Sequence, residues 1–199
     1  METAGIFPPM YFAPVAYYAA MAKCDRIYID LDIRHDRRFK AAHRCDIISN
    51  HGPVQLTVPV CKLPAGAAPT WRNILVSDHD RWWEQHVSTL ATAYGRTPFF
   101  EFYIDRFLPL MSQQAVGRSV ADICREADTM VRRILGITAP ASYSALHAPT
   151  DAIDYRRSPL PPHAAPYYQV RAHQMGFHPG LSILDLIFNT GTESPLYIR

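Results

Sequence analysis

The pattern of apolar positions in the N-terminal part of the chain predicts a helix, a strand and a β-hairpin. After Pro14, apolar residues recur at helical spacing over residues 15–22, which favours a short helix that begins at the proline. Residues 26–31 form a run of branched and aromatic side chains, which is typical of a buried strand. Two further strand candidates, residues 45–48 and 54–60, are separated by a turn-rich connection of hairpin length.

Helical patterns dominate the middle of the chain. Apolar residues at spacings of three and four predict helices over three segments: residues 80–94, 103–111 and 119–135. We expect Asp78 or Asp80 to cap the first of these helices, Gly95 to end it, and Gly136 to end the third. Before them, residues 73–76 predict a brief strand.

The C-terminal region combines an irregular segment with a short helix. Residues 138–165 are rich in Pro, Ser, Ala, His and Arg and predict a long irregular connection. Ser182 followed by Asp185 is a variant of the capping box, and Gly191 lies where a helix ends, so we expect a buried helix with Asp185 as its capping acid. The whole pattern predicts a single α+β domain over residues 1–199, in which a small mixed or antiparallel sheet near the N-terminal half packs with several helices.

Composition restricts the class of protein. With 199 residues and 48% hydrophobic content, the chain is long enough to bury a sizeable core. Its 20 basic and 18 acidic residues leave almost no net charge, which argues against a dedicated nucleic-acid binder. The apolar run over residues 6–22 lacks a basic N-terminal region and is interrupted by prolines, so we expect neither a signal peptide nor membrane insertion. The sequence therefore predicts a soluble, cytoplasmic protein.

Cysteine spacing and short motifs do not indicate a cofactor. The cysteines show no CxxC spacing, so we expect reduced thiols and neither a zinc site nor a disulfide at Cys24, Cys45, Cys61 and Cys124. The chain also lacks GxGxxG, GxxxxGK[ST], HExxH and GxSxG. No metal is predicted, and the identity of any cofactor is left open.

Several blocks of the sequence resemble the WbqC-like family. The most specific block is near the C-terminus, and the others lie in the opening, the predicted hairpin and the central helix: residues 166–170, 176–191, 11–20, 27–30, 44–47, 56–60 and 86–105. The resemblance covers nearly the whole chain, although residues 41–44 are Ala-Ala-His-Arg where family members often carry Tyr-Arg-Asn-Arg, and Gly180 replaces a common Asn. It implies a role in bacterial surface polysaccharide (O-antigen) biosynthesis, by transfer of an acyl or aminoacyl group such as glycine to a sugar.

Three residues are candidates for catalysis. His86 is the candidate general base, since imidazole titrates near neutrality, and the alternative is a partly buried histidine that bonds a carbonyl. Cys45 beside Arg44 is the candidate nucleophile for an acyl thioester, although strand alternation favours a buried, unreactive thiol. Asp30, followed by Asp32, ends a predicted strand, where the two carboxylates would bind a cation or simply be solvated.

Arg44, Tyr168 and Gln169 are candidates for substrate binding. A guanidinium suits an anionic donor, and sugar sites combine aromatic faces with amide groups. We therefore expect Arg44 to bind the donor, while Tyr168 and Gln169 orient a small-molecule or sugar acceptor.

Two functions are compatible with these residues. In a transferase, His86, Arg44 and Gln169 should converge on one cleft. In a non-catalytic protein that binds a glycan precursor or a partner enzyme of polysaccharide assembly, they should lie apart. No nucleic-acid partner is expected, and a homo-oligomer is left open.

Overall fold

The computed structural model describes residues 2–36, 39–63, 69–156, 160 and 165–199. The strands are β1 (Ala4–Phe7), β2 (Arg26–Ile29), β3 (Arg44–Ser49), β4 (Gly52–Thr57), β5 (Ala141–Ser142) and β6 (Ile153–Asp154). The α-helices are α1 (Val15–Met21), α2 (Trp82–Tyr94), α3 (Phe100–Phe107), α4 (Val120–Leu135), α5 (Ala172–Met175) and α6 (Ile183–Thr190).

A four-stranded parallel sheet has the strand order β5-β2-β1-β6. β1 and β2 pair from Ala4 opposite Arg26 to Phe7 opposite Ile29, and α1 lies in the connection between them. A parallel pair needs such a crossover because consecutive strands must start from the same edge. β1 is buried along its whole length, as expected for a strand covered on both faces. The carboxyl ends of these strands consequently meet at one edge of the sheet.

The second sheet is the antiparallel hairpin of β3 and β4. Its register runs from Arg44 opposite Thr57 to Ser49 opposite Gly52. Gly52 has a φ of 113°, which a residue without a Cβ adopts at little cost. The α+β prediction is confirmed: helices pack with sheet structure that lies mostly in the N-terminal half, and a short helix lies near the C-terminus. Parallel and antiparallel pairing are divided between two sheets.

Helix α6 is central to the hydrophobic core. All of its residues are buried. The ring of Phe188 contacts those of Tyr94, Phe100 and Phe107 at centroid distances of 5.3, 5.0 and 6.2 Å. α6 is therefore fixed against α2 and α3. Within the described ranges, no helix is both long enough and apolar enough to cross a membrane.

Several predicted helix ends are confirmed. Ser182 caps α6, since its hydroxyl accepts a hydrogen bond from the backbone N–H of Leu184. Gly191 and Gly95 occupy the C-cap positions of α6 and α2. Gly136 ends α4 with a left-handed φ of 64°. These ends follow from local chemistry, namely a hydroxyl acceptor at the start and glycine at the stop.

The predicted start of α2 is wrong. The helix begins at Trp82, and neither Asp78 nor Asp80 caps it. Arg81 occupies the cap position with a φ of 45° and makes no side-chain cap bond. Asp80 also has a positive φ, 57°, so two consecutive left-handed residues turn the chain sharply into the helix.

Three further segments differ from or add to the expectation. Residues 73–76 contribute isolated bridges rather than a strand, since a 3-10 turn (Trp71–Asn73) takes up the start of the segment. Residues 103–111 divide into the end of α3 and a 3-10 turn (Leu108–Met111), because Pro109 lacks an N–H for the helical pattern. Residues 138–165 include β5 and β6, which add to the parallel sheet; positions 157–159 and 161–164 of that segment lie outside the described residues.

Candidate functional site

A small cleft lies where the loop after β1 meets the start of β3 and the N-terminus of α6. Its volume is about 180 Å³. The lining residues come from several segments: residues 10–14, 40–41 and 44–46 with Gln55, Gly180 and Ser182. The loop that carries residues 10–14 leaves the carboxyl edge of the parallel sheet, the edge at which ligands of open α/β sheets commonly bind. We call this cleft the Arg44 cleft.

Backbone hydrogen bonds fix the walls of the Arg44 cleft to one another. The N–H of Tyr11 donates to the carbonyl of Ala41 at 2.9 Å, and the N–H of Ser182 donates to the carbonyl of Asp46 at 2.7 Å. The Ser182 hydroxyl donates to the carbonyl of Phe12 at 2.7 Å. Phe12 itself has a φ of 43°, a strained conformation for a residue with a side chain. The cleft is therefore a fixed feature of the fold.

Arg44 gives the cleft its cationic character. Its Nη1 donates to Gln55 Oε1 at 2.9 Å, and Gln55 Nε2 donates in turn to Asp46 Oδ1 at 3.0 Å. The Nε of Arg44 is buried and has no hydrogen-bond partner among the described residues. Lys40 lines the same cleft. Two cations against one carboxylate, with one guanidinium donor unpaired, suit an anionic ligand.

Cys45 lines the cleft but is not activated. Its side chain is only 6% exposed. Burial raises the pKa of the thiol well above its ordinary value, despite a hydrogen bond involving Ser182 that acts in the opposite direction. The neighbouring Arg44 does not produce a thiolate. The expectation of a buried thiol is confirmed, and a thioester mechanism receives no support from this geometry.

Native thiol labelling should distinguish Cys45 sharply from Cys61. Cys61 is an exposed free cysteine, whereas Cys45 is buried. Because labelling requires an accessible thiolate, we expect Cys45 to react slower than Cys61 by at least about a hundredfold. Timed alkylation followed by peptide mass spectrometry measures both rates in one sample. Equal rates would contradict the buried, protonated state and would restore Cys45 as a candidate nucleophile.

His86 lies on the buried face of α2 rather than one position from it, and it is 3% exposed. Its Nε2 donates to the carbonyl of Thr57 at 3.1 Å, because a carbonyl can only accept. The Nδ1 therefore accepts from the hydroxyl of Tyr11 at 3.3 Å. Burial lowers the pKa of His86 to about 4. His86 does not line the Arg44 cleft, and it is connected to the cleft through its hydrogen bond with Tyr11. Burial raises the pKa of the Tyr11 hydroxyl.

Asp185 is the centre of a buried polar network, which corrects its assignment as a capping acid. Its Oδ1 accepts from the hydroxyl of Tyr94 at 2.8 Å, and its Oδ2 accepts from the hydroxyl of Tyr167 at 2.7 Å. Gln169 Nε2 donates to the same Oδ2 at 2.9 Å. Burial raises the pKa of the Asp185 carboxyl, while these hydrogen bonds oppose the change. Ser182 provides the helix cap without it.

Gln169 and Tyr168 have very different environments. Gln169 is 3% exposed, and its Oε1 accepts from the N–H of His178 at 2.9 Å. Both ends of its amide thus make internal bonds. Tyr168 is 59% exposed. Neither residue lines the Arg44 cleft. That they bind an acceptor therefore stays a prediction, and the geometry of the cleft does not support it.

Asp30 belongs to a charge network at the carboxyl edge of the parallel sheet. Its Oδ2 accepts from Arg156 Nη1 at 2.6 Å, and Arg156 Nη2 donates to Asp154 Oδ2 at 2.7 Å. Asp32 makes a bidentate pair with Arg72 at 2.6 and 3.0 Å. Both predicted carboxylates thus face arginines. Across the part of the chain that the structure describes, there is no group of three or more His, Cys, Asp or Glu that could bind a metal ion.

The sequence contains a pattern that indicates the cleft. Of the residues in that pattern, only Arg44 was among the predicted site residues. Five of the 20 basic residues fall within residues 34–44, namely Arg34, Arg37, Arg38, Lys40 and Arg44. Arg37 and Arg38 lie outside the described residues. Such a local concentration in a nearly neutral chain favours anion binding, and two of the five, Lys40 and Arg44, line the cleft. The contributions of Tyr11, Gln55 and Ser182 had no comparable signal, because they depend on tertiary contacts.

The fold and the cleft define a mixed α/β protein with a small cationic cleft at the junction of its two sheets and α6. The chain belongs to the WbqC-like protein family, whose model matches residues 8–156. The C-terminal string, which is the most specific part of the resemblance in the sequence, lies beyond the matched residues. Comparisons with curated proteins and with solved structures found no match.

Proposed function

We propose that this chain binds the anionic group of a sugar derivative, such as a nucleotide-sugar, in the Arg44 cleft and acts as an acyl or aminoacyl transferase of bacterial surface polysaccharide biosynthesis. The observation that carries the binding step is the buried Nε of Arg44, which has no partner in the described part of the chain. A buried guanidinium donor without an acceptor is costly, and a phosphate or carboxylate oxygen would satisfy it. Membership of the WbqC-like family supports the setting in polysaccharide biosynthesis.

The transfer step needs a route for the proton that leaves the acceptor hydroxyl or amine. In the Arg44 cleft, Tyr11 is the residue that connects to a base, since its hydroxyl donates to His86 Nδ1. The acceptor would pass its proton to the Tyr11 oxygen as Tyr11 passes its own to His86, while the acceptor oxygen or nitrogen bonds the acyl carbon and the donor's leaving group departs. His86 is a weak base for this purpose, because burial lowers its pKa to about 4.

A second candidate function is non-catalytic recognition of the same anionic sugar for a partner enzyme. The burial of both His86 and Cys45 favours it, since neither presents a reactive group at the cleft surface. The separation of Gln169 from the Arg44 cleft also favours it. Both candidates require the binding step, so binding is tested first.

Replacing Arg44 by glutamine should weaken binding of UDP-glucose, used as a probe, by about tenfold or more, because a charge-assisted hydrogen bond contributes about 1.5–3 kcal/mol. Arg44→Lys should lose less, since it keeps the charge. Isothermal titration calorimetry of the full chain measures the affinities. Arg26→Gln is the matched control, because Arg26 is an exposed arginine paired with Glu2. Unchanged affinity in a folded Arg44→Gln variant would refute the proposed ligand site.

Mass spectrometry of sugar-nucleotide and glycan pools separates the two candidates. A transferase should produce an acylated or aminoacylated sugar only in cells that carry the wild-type gene. A binding protein should change the amount of polysaccharide without changing the covalent structure of its precursors. A new modified sugar that persists with the Arg44→Gln variant would show that transfer does not use this cleft.

A further inference from the structure

A second polar cavity lies at the turn of the β3–β4 hairpin, whereas Arg44 lies at the opposite, open end. Its volume is about 410 Å³. Its walls are the hairpin turn at Asn50, the last turn of α2 with the residues that follow it, and Val170 with Arg171. None of these residues lines the Arg44 cleft, so the cavity is a separate feature of the molecule.

Arg171 has donors that its structural role does not use. Its Nη2 donates to the carbonyl of Ala93 at 2.7 Å, near the C-terminus of α2, where a cation is favourable. A guanidinium has five N–H donors, and this bond accounts for one of them. The Nε of Arg171 is buried and has no hydrogen-bond partner within the described ranges. Helix capping alone therefore does not explain the position of this side chain.

The other polar groups of the cavity suit a sugar acid or sugar phosphate. Arg96 is exposed on the same cavity, and the lining residues include no acid, so the local charge is positive. The hydroxyls of Thr92 and Thr97 donate to the carbonyls of Ser88 and Tyr94 at 2.9 and 2.7 Å. Each hydroxyl oxygen keeps lone pairs that can accept from a ligand hydroxyl.

We propose that this cavity is a second binding site, which takes an acidic monosaccharide whose phosphate or carboxylate bonds Arg171 and Arg96. The sugar hydroxyls would bond Thr92, Thr97 and the amide of Asn50. The cavity volume lies in the range of small-molecule sites, roughly 300–1,000 Å³. The inference rests on the residues of this cavity alone and is independent of the function proposed for the Arg44 cleft.

The Nε–H of Arg171 provides a direct reporter. In nitrogen–proton correlation spectra of the full chain, its side-chain signal is assigned by its disappearance in Arg171→Lys. We expect glucose 1-phosphate or glucuronate at millimolar concentration to shift this signal, and neutral glucose to leave it unchanged. The acidic sugar that binds with the higher affinity shows whether the site prefers a phosphate or a carboxylate.

Two variants test whether the shift of the Arg171 signal is due to binding in this cavity. Arg96→Gln should weaken binding of the more effective sugar by about tenfold, the loss expected for one charge-assisted bond. Arg44→Gln should leave the affinity read from the Arg171 signal unchanged, because Arg44 lies in the other cleft. The proposal is overturned if no acidic sugar shifts the Arg171 signal, or if Arg96→Gln has no effect. It is equally overturned if neutral glucose shifts the signal, or if inorganic phosphate binds as tightly as glucose 1-phosphate.

Discussion

Replacing Asp185 by alanine should lower the free energy of unfolding by about 3 kcal/mol or more, because three buried donors lose an acceptor at a cost of about 1–3 kcal/mol each. Those donors are the hydroxyls of Tyr94 and Tyr167 and the amide of Gln169. The network also joins distant parts of the fold. The Tyr94 hydroxyl accepts from the N–H of Ile48 at 3.2 Å and donates to Asp185, so hydrogen bonds through Tyr94 connect β3 and α2 to α6.

Urea denaturation of Asp185→Ala and two control variants measures the effect. Asp105→Ala removes an exposed carboxylate from α3 and should change stability by less than about 0.5 kcal/mol. Ser182→Ala removes the helix cap together with the buried hydrogen bond to the Phe12 carbonyl, and should cost about 1–2 kcal/mol. A loss of about 1 kcal/mol or less in Asp185→Ala would instead fit a capping acid at the first turn of α6.

A double-mutant cycle identifies the network as the cause. Tyr167→Phe removes one donor and should be destabilising in the wild-type protein, but close to neutral or favourable in the Asp185→Ala background, where that hydroxyl has no acceptor. Additive effects of the two substitutions would mean that the hydrogen bond at 2.7 Å contributes nothing to stability. The loss would then be due to the cavity alone.

The ends of helices were predictable because they depend on neighbours within a few residues. Ser182 and Gly191 bracket α6 as the sequence indicated, and Gly136 ends α4. The start of α2 was not predictable by the same rule. Asp78 and Asp80 are favourable capping residues, but left-handed conformations at positions 80 and 81 move the helix start to Trp82.

The parallel sheet was not predictable from periodicity. β5 and β6 have two residues each and β1 has four, which is too short for an alternating pattern to be recognised. Their partners are also remote, since Gly5 pairs with Ile153 across most of the chain. The hairpin of β3 and β4, in contrast, depends on a local turn and was predicted with its approximate bounds.

In the candidate site, too, features that depend on residue type were predictable, whereas features that depend on contacts between distant residues were not. Arg44 was recognised from its residue type, and its unpaired Nε is consistent with that prediction. The environment of His86 depends on Thr57 and Tyr11, which are 29 and 75 residues away in the sequence. The buried environment of Gln169 likewise depends on Asp185 and on the backbone of His178, which are 16 and 9 residues away. Sequence pattern alone could not show that these side chains are internal.

His86 should make the stability of the protein strongly dependent on pH. Its pKa is about 4 in the folded protein against an ordinary value of 6.5, so between these values the unfolded chain binds more protons than the folded one. Stability is therefore highest above the unfolded pKa and is lost as the pH falls toward 4. Since one pKa unit corresponds to about 1.4 kcal/mol, His86 accounts for a loss of about 3 kcal/mol.

The measurement is the free energy of unfolding of wild type and His86→Gln between about pH 7 and pH 4. Burial also lowers the pKa of His43, so the wild-type curve contains both histidines, and the difference between the two proteins isolates His86. The variant should be less stable at neutral pH, because the bonds to Thr57 and Tyr11 are disturbed, but it should lose less on acidification. His51→Gln, at an exposed position, should stay within about 0.5 kcal/mol of wild type at neutral pH.

The same variant decides whether His86 is a base or a packing residue. A packing residue predicts the flatter pH curve together with unchanged binding of UDP-glucose, since His86 contacts the Arg44 cleft only through Tyr11. A catalytic base predicts that transfer falls by about a hundredfold or more in a variant that remains folded. If His86→Gln kept the wild-type pH curve, the low pKa and the buried neutral imidazole would both be wrong. The pKa of His86 would then lie near its ordinary value, and the imidazole would be a stronger base for the proposed transfer.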